Sequence, residues 1–132
     1  MTDQPHCIVI GVGAGTGAAC VRRFMKAGYH VSMIARSQER LENFAAEMPG
    51  ATPYAADIAD QAAFRQTLER ATAEHGTPHV VLYNATQATF GKYTEIDLEK
   101  FERNFRVNSA GLLLVAQLFG PAMASRGAGS LI

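Results

Sequence analysis

Hydrophobic and polar positions along the chain switch repeatedly between two periods. Cys7-Ile8-Val9-Ile10 is an unbroken apolar run of strand length, and it ends at Gly11. Over 16–27 the pattern turns helical: Ala18, Val21, Phe24 and Met25 recur by threes and fours, and Gly28 supplies a C-terminal stop. A second strand is predicted over 29–35. Ser37 then stands where an N-cap belongs, and Leu41, Phe44, Ala45 and Met48 give the next helix one apolar face before Pro49-Gly50 breaks it. A short third strand occupies 52–55. Asp60 caps a helix with Phe64, Leu68 and Ala71 on one face, closed near Gly76. A fourth strand over 78–83 runs into Asn84-Ala85-Thr86. After a loop containing Gly91, one long helix is predicted from about 97 to 125, and 129–132 begins a fifth strand.

Strands alternating with helices of this length imply a parallel sheet with right-handed crossovers. The fold class is therefore α/β: a Rossmann-like doubly wound parallel sheet of strand order 3-2-1-4-5, truncated after the start of strand 5, in one domain over 1–132. That order sets the carboxyl ends of strands 1 and 4 side by side at the switch point where ligands bind. The stretch from Gly11 to Gly17, Arg36, Asp57 and Asn84 all converge there. Glycine permits positive φ and close approach of backbone to a bulky anion, and the following helix aims free N–H groups and its positive dipole end at the same place. Two registers fit, Gly13-x-Gly15-x-x-Ala18 and Gly11-x-x-x-Gly15-x-Gly17. The second agrees with residues further along and is preferred. No Gly-Lys-Ser/Thr closes the stretch, which argues against a P-loop.

A net charge of zero and a pI near 6.9 give no basis for nucleic-acid or anionic-membrane partners. By sequence, no apolar run reaches bilayer-spanning length and no signal peptide precedes Cys7. Cys7 and Cys20 read as buried thiols of a reducing compartment, so the expected location is the cytoplasm. His6, His30, His75 and His79 lack metal-ligand spacing and read as surface or strand-end residues; no metal is expected.

The motifs resemble the commonest subgroup of the short-chain dehydrogenase/reductase family. Gly11-x-x-x-Gly15-x-Gly17, with Thr16 inside it, is similar to the family's phosphate loop. Asp57-Ile58 is similar to its adenine contact, and Tyr83-Asn84-Ala85-Thr86 to its Asn-Asn-Ala-Gly element, with tyrosine for the first asparagine and threonine for the glycine. Asn108, in Arg106-Val107-Asn108-Ser109, resembles the asparagine of the catalytic tetrad, which holds a water that relays protons to a lysine. The resemblance covers nearly the whole chain but only the first half or so of a family member. It implies hydride transfer between a nicotinamide cofactor and an alcohol or carbonyl substrate, with Gly11, Gly15, Thr16, Gly17, Arg36, Ser37, Asp57, Ile58, Asn84 and Ala85 as cofactor-binding residues. It also implies a homodimer or homotetramer formed through the long helix near 97–125.

Charge selects between cofactors. NAD enzymes place a carboxylate at the end of the second strand to bond the ribose 2′-OH. Here that position reads Ala35-Arg36-Ser37. A guanidinium grips a 2′-phosphate that a carboxylate would repel, so NADP(H) is preferred over NAD(H). Arg40, one turn on, is expected to face solvent. In the long helix, Leu98, Phe101, Phe105, Leu112, Val115 and Phe119 form an apolar stripe in which Asn108 is the polar exception, an amide expected to be buried and hydrogen-bonded.

The family's proton donor is a tyrosine followed four residues later by lysine. Tyr29, Tyr54, Tyr83 and Tyr93 are followed at that distance by Met33, Ile58, Gln87 and Asp97. The 132-residue chain is therefore expected to be inactive alone and prone to associate through its open sheet edge. Two classes stay open: the front part of an NADP(H)-dependent oxidoreductase, or a non-catalytic NAD(P)-binding sensor. An end inside a strand favours the first.

Overall fold

The computed structural model describes residues 3–132. Strand and helix alternate as predicted, with bounds within a residue or two: β1 (His6–Ile10), α1 (Thr16–Lys26), β2 (His30–Ala35), α2 (Gln38–Glu47), β3 (Ala51–Ala55), α3 (Gln61–His75), β4 (Val80–Tyr83), α4 (Leu98–Phe105), α5 (Gly111–Arg126) and β5 (Ser130–Leu131). The strands form one parallel sheet in the order β3-β2-β1-β4-β5. Alternate residues of β1 feed two separate cores. Cys7 and Val9 pack with Val21, Met33 and Leu41 beneath α1 and α2. Ile8 and Ile10 pack with Phe64, Leu68, Val115 and Phe119 beneath α3 and α5. A strand buried on both faces has no polar side, which is why β1 reads as an unbroken apolar run. The predicted caps are present: Ser37 Oγ accepts from Arg40 N–H at 3.3 Å and Asp60 Oδ1 from Ala63 N–H at 3.2 Å.

In β3, Pro53 lies opposite Met33 of β2. The Ala56 N–H donates to the Ala35 carbonyl. By alternation the N–H groups of Thr52 and Tyr54 also face β2, and the proline nitrogen faces outward.

The long helix departs from the sequence reading. A π turn over Arg106–Ala110 divides it, with the Gly111 N–H bonded five residues back to the Arg106 carbonyl. Gly111 is required there: a Cβ would lie 2.5 Å from Ile58 Cγ2 and would collide with the Tyr83 hydroxyl. That hydroxyl donates to the Val107 carbonyl, and burial pushes its pKa up to about 12. The predicted stripe is corrected too. Val115 and Phe119 are buried, but Leu98, Phe101, Phe105 and Leu112 are exposed, and the inward face is Val107, Gly111, Leu114, Val115 and Phe119. Counted through the π turn, Leu98–Arg126 spans 29 residues and holds a stretch of mean hydropathy 1.4. By length and composition alone it is long and apolar enough to cross a bilayer, contrary to the sequence reading; its inward face lies on the sheet.

The histidines gather at the amino end of the sheet: His6 and His30 begin β1 and β2, as the strand-end reading has it, but His6 is 1% exposed and so is not a surface residue. Its Nδ1–H donates to the Gly76 carbonyl at 2.8 Å, which leaves Nε2 of the neutral ring to accept from the Ser32 hydroxyl at 2.8 Å. The His30 and His75 rings stack at 3.7 Å beside it, and His79 Nδ1 accepts the His6 backbone N–H. Burial first, then the neighbouring imidazoles, push His6 down to about 4; burial also lowers His30 and His75, against the Glu74 carboxylate for the latter. Cys7 is buried, and Cys20 is half-buried.

This cluster sets an acid limit on stability. An unfolded histidine protonates near 6.5 and folded His6 only near 4. Between those values the unfolded chain binds more protons, so stability is full above pH 6.5 and falls as pH drops toward 4, by about 3 kcal/mol for this one residue. Urea unfolding at pH 7.5 and 4.5 is expected to show that fall, and His6→Gln is expected to flatten it even if it lowers stability at pH 7.5. An unchanged pH slope in the variant would place the acid lability elsewhere.

Candidate functional site

Where β1 and β4 end, the backbone turns so tightly that only glycine fits. Gly11 has φ +90°, and a Cβ on it would sit 2.5 Å from the Ala85 nitrogen. The Asn84 amide donates to the Gly11 carbonyl at 3.0 Å, and the Asn84 N–H to the Ile10 carbonyl at 2.8 Å. Gly17, in the first turn of α1, lies against the same segment: a Cβ there would be 2.5 Å from the Gly11 oxygen. Gly13 and Gly15 have nothing within 4 Å of a Cβ position and border open space. No side chain caps α1, whose start at Gly15 and Thr16 opens onto that space. The geometry therefore gives Gly11 and Gly17 one duty, close packing, and Gly13 and Gly15 another, an unobstructed approach to a helix N-terminus that favours anions.

The space is a cleft of about 790 Å³, within the roughly 300–1,000 Å³ common for small-molecule sites. Gly11, Gly15, Thr16, Gly17, Arg36, Ser37, Asp57, Ile58, Asn84 and Ala85 all line it. Arg40 faces solvent as expected, and it also borders the cleft, which Arg36 lines as well. Arg36 stands in the turn from β2 into α2 and Arg40 in the first turn of α2; Ala35-Arg36-Ser37, at the strand's end, contains no carboxylate.

Asp57 follows β3. Its burial works to raise its pKa, but the hydrogen bonds from Arg103 and from the Ala59 N–H, with the charges of Arg103 and Arg36, outweigh this and hold the carboxyl below its ordinary range. Arg103 Nη2 donates to both carboxylate oxygens, at 2.7 and 2.8 Å. Its Nε donates to Gln87 Oε1 at 3.1 Å.

Asn108 differs from its sequence reading. It sits in the π turn, exposed rather than buried, and is not among the residues that line the cleft. Each end of its amide is bonded nonetheless: Oδ1 accepts the Gln87 N–H at 2.8 Å and Nδ2 donates to the Gln87 carbonyl at 2.7 Å, leaving one donor and one lone pair free. The residues missed from sequence are Arg103 and Gln87. Nothing in local spacing links Arg103 to a carboxylate 46 positions away; the sheet order alone brings them together.

The model of the short chain dehydrogenase family matches residues 5–132. The chain belongs to the short-chain dehydrogenase family. Among curated members it is 31% identical over 123 residues to L-xylulose reductase of Mesocricetus auratus, covering 93% of this chain and 49% of that one. It is 30% identical over 128 residues to the probable oxidoreductase EphD of Mycobacterium tuberculosis, covering 94% of this chain and 22% of that protein. This short-chain dehydrogenase chain thus spans about half the length of the first relative and about a fifth of the second. A metagenomic short-chain oxidoreductase solved in complex with NADP superposes with a TM-score of 0.89 at 26% identity, over 96% of this chain and 60% of that one. The five-stranded order seen here is the fold these dehydrogenases share.

The two kinds of glycine are separable by mutation. Gly17→Ala drives a methyl into the Gly11 carbonyl; overpacking of this sort destabilises by about 1–3 kcal/mol, so calorimetry is expected to show a Tm several degrees lower. Gly13→Ala meets no atom and is expected to melt with the unmodified chain. Equal effects of the two would contradict the packing described.

Proposed function

We propose that the chain is the cofactor-binding part of an NADP(H)-dependent oxidoreductase that transfers hydride between nicotinamide and an alcohol or carbonyl substrate. The observation that carries the cofactor choice is the pair Arg36 and Arg40 on the rim beyond β2, with no acid in Ala35-Arg36-Ser37 at the strand's end. A dianionic 2′-phosphate suits two guanidiniums, whose forked donors match its oxygens. The relative solved with NADP supports the same reading. The cradle fits the rest of the dinucleotide: Gly13 and Gly15 leave room at the start of α1 for a pyrophosphate, with the N–H groups of the first turn as donors. Asp57 and Ile58 form the adenine end, and Asn84 and Ala85 border the ribose on the other side. When bound, the nicotinamide supplies or accepts the hydride. Asn108 belongs in this reading to the proton relay, and its grip on the Gln87 backbone fixes the loop beside it. The cytoplasm, where NADP(H) is available, is the proposed location.

Loss of a charged hydrogen-bonded contact is worth about 1.5–3 kcal/mol, roughly ten- to a hundredfold in affinity. Arg36→Ala is therefore expected to weaken NADPH binding by that factor in a fluorescence titration and to leave NADH binding nearly unchanged. Equal losses for both cofactors would refute the assignment of Arg36 to the 2′-phosphate.

The outer face of α4 and α5 supports self-association: Leu98, Phe101, Phe105, Leu112 and Leu113 are all exposed. Contiguous apolar surface of this kind marks an interface, and a second copy of the chain is the proposed partner. Light scattering is expected to give a mass above that of the monomer, and Phe105→Glu with Leu112→Glu is expected to reduce it. A monomeric unmodified chain would exclude this contact.

A further inference from the structure

Asp57, Arg103 and Gln87, all lining the cleft, form one continuous hydrogen-bonded chain that ends on Asn108 outside it. It starts just beyond β3, crosses α4, reaches the loop after β4 and ends in the π turn. Arg103 is the member whose own side chain joins two others, those of Asp57 and Gln87. Its guanidinium leaves Asp57 able to serve a ligand. Oδ1 accepts from both Arg103 and the Ala59 N–H, whereas Oδ2 accepts from Arg103 alone and keeps a lone pair free. An ionised carboxylate is acceptor-only, so its natural ligand is an N–H donor such as an exocyclic amine.

Arg103 also decides what Asp57 does not do. Arg36 is near enough for its charge to act on the same carboxylate. Without Arg103, the cations left near Asp57 are Arg36 across the cleft and Arg106 in the adjoining recess, and pairing with either would compete with a ligand for the carboxylate.

We propose that Arg103 is a positioning residue for the nucleotide: it holds Asp57 aimed at the adenine amine and away from Arg36, and with its Nε it fixes Gln87 at the cleft's mouth. The proposal rests on the dinucleotide reading above and adds a discriminating role that Arg103 exerts through Asp57.

The test compares NADP⁺ with its deamino analogue, in which hypoxanthine replaces adenine and the amine becomes a carbonyl. Equilibrium binding of both is measured on the full chain. The unmodified chain is expected to prefer NADP⁺ by about tenfold, the scale of one charge-assisted hydrogen bond. Arg103→Met is expected to shrink that preference below about threefold, as is Asp57→Asn, and the double variant to shrink it no further. A purely structural role for Arg103 would weaken both ligands alike and leave their ratio intact. Should Arg103→Met fail to fold, Arg103→Lys retains the charge but lacks the fork that reaches Asp57 and Gln87 together, and it is expected to lose most of the preference. An unaltered ratio in a folded variant, or no preference in the unmodified chain despite NADP⁺ binding, overturns the proposal. No binding of NADP⁺ at all would instead overturn the dinucleotide reading beneath it.

Discussion

The architecture turns on the contact of bare backbone at Gly11. Three segments meet there with no side chain between them: the end of β1, the Asn84-Ala85 turn after β4, and the first turn of α1 at Gly17. A single methyl at either glycine would separate them. Because they touch, the Asn84 amide reaches the Gly11 carbonyl, the ends of β1 and β4 are locked in register, and α1 begins directly over the resulting gap. The cleft is what remains when side chains are excluded from that junction. The same geometry leaves the start of α1 free of side chains, the arrangement in which a helix exposes N–H groups to a ligand.

The opposite wall depends on a second tight contact. Gly111 lets α5 settle onto Tyr83 and Ile58, and the Tyr83 hydroxyl takes up a carbonyl within the π turn. Tyrosine at position 83, in place of the asparagine of the resembled motif, thus contributes to how the helix is seated. The π turn in turn presents Asn108 to the Gln87 backbone, so helix seating and loop position are one problem with one solution.

Most of the fold was legible because its signals are local. β1 is apolar throughout as it is covered on both faces, and Ser37 and Asp60 cap helices through bonds to N–H groups three residues ahead. The ten residues assigned to the cleft could be read because they follow the ends of predicted strands or open the helix after the first, and strand order does the rest. What was illegible is where local pattern carries no choice. Residues 111–120 are apolar on nearly every side, with Gln117 the one strongly polar residue, so periodicity cannot pick the face that packs, and an extra residue in the turn before them leaves no trace in composition. Arg103 and the histidine cluster are products of long-range topology: their partners lie 46 and up to 73 positions away.

Pro53 bears on how the sheet relates to other chains. On the outer side of β3 a proline nitrogen stands where an amide donor would otherwise be. A strand arriving from solution would find the ladder interrupted at the midpoint of a five-residue edge. Growth by strand addition is thus discouraged on the flank beside β3.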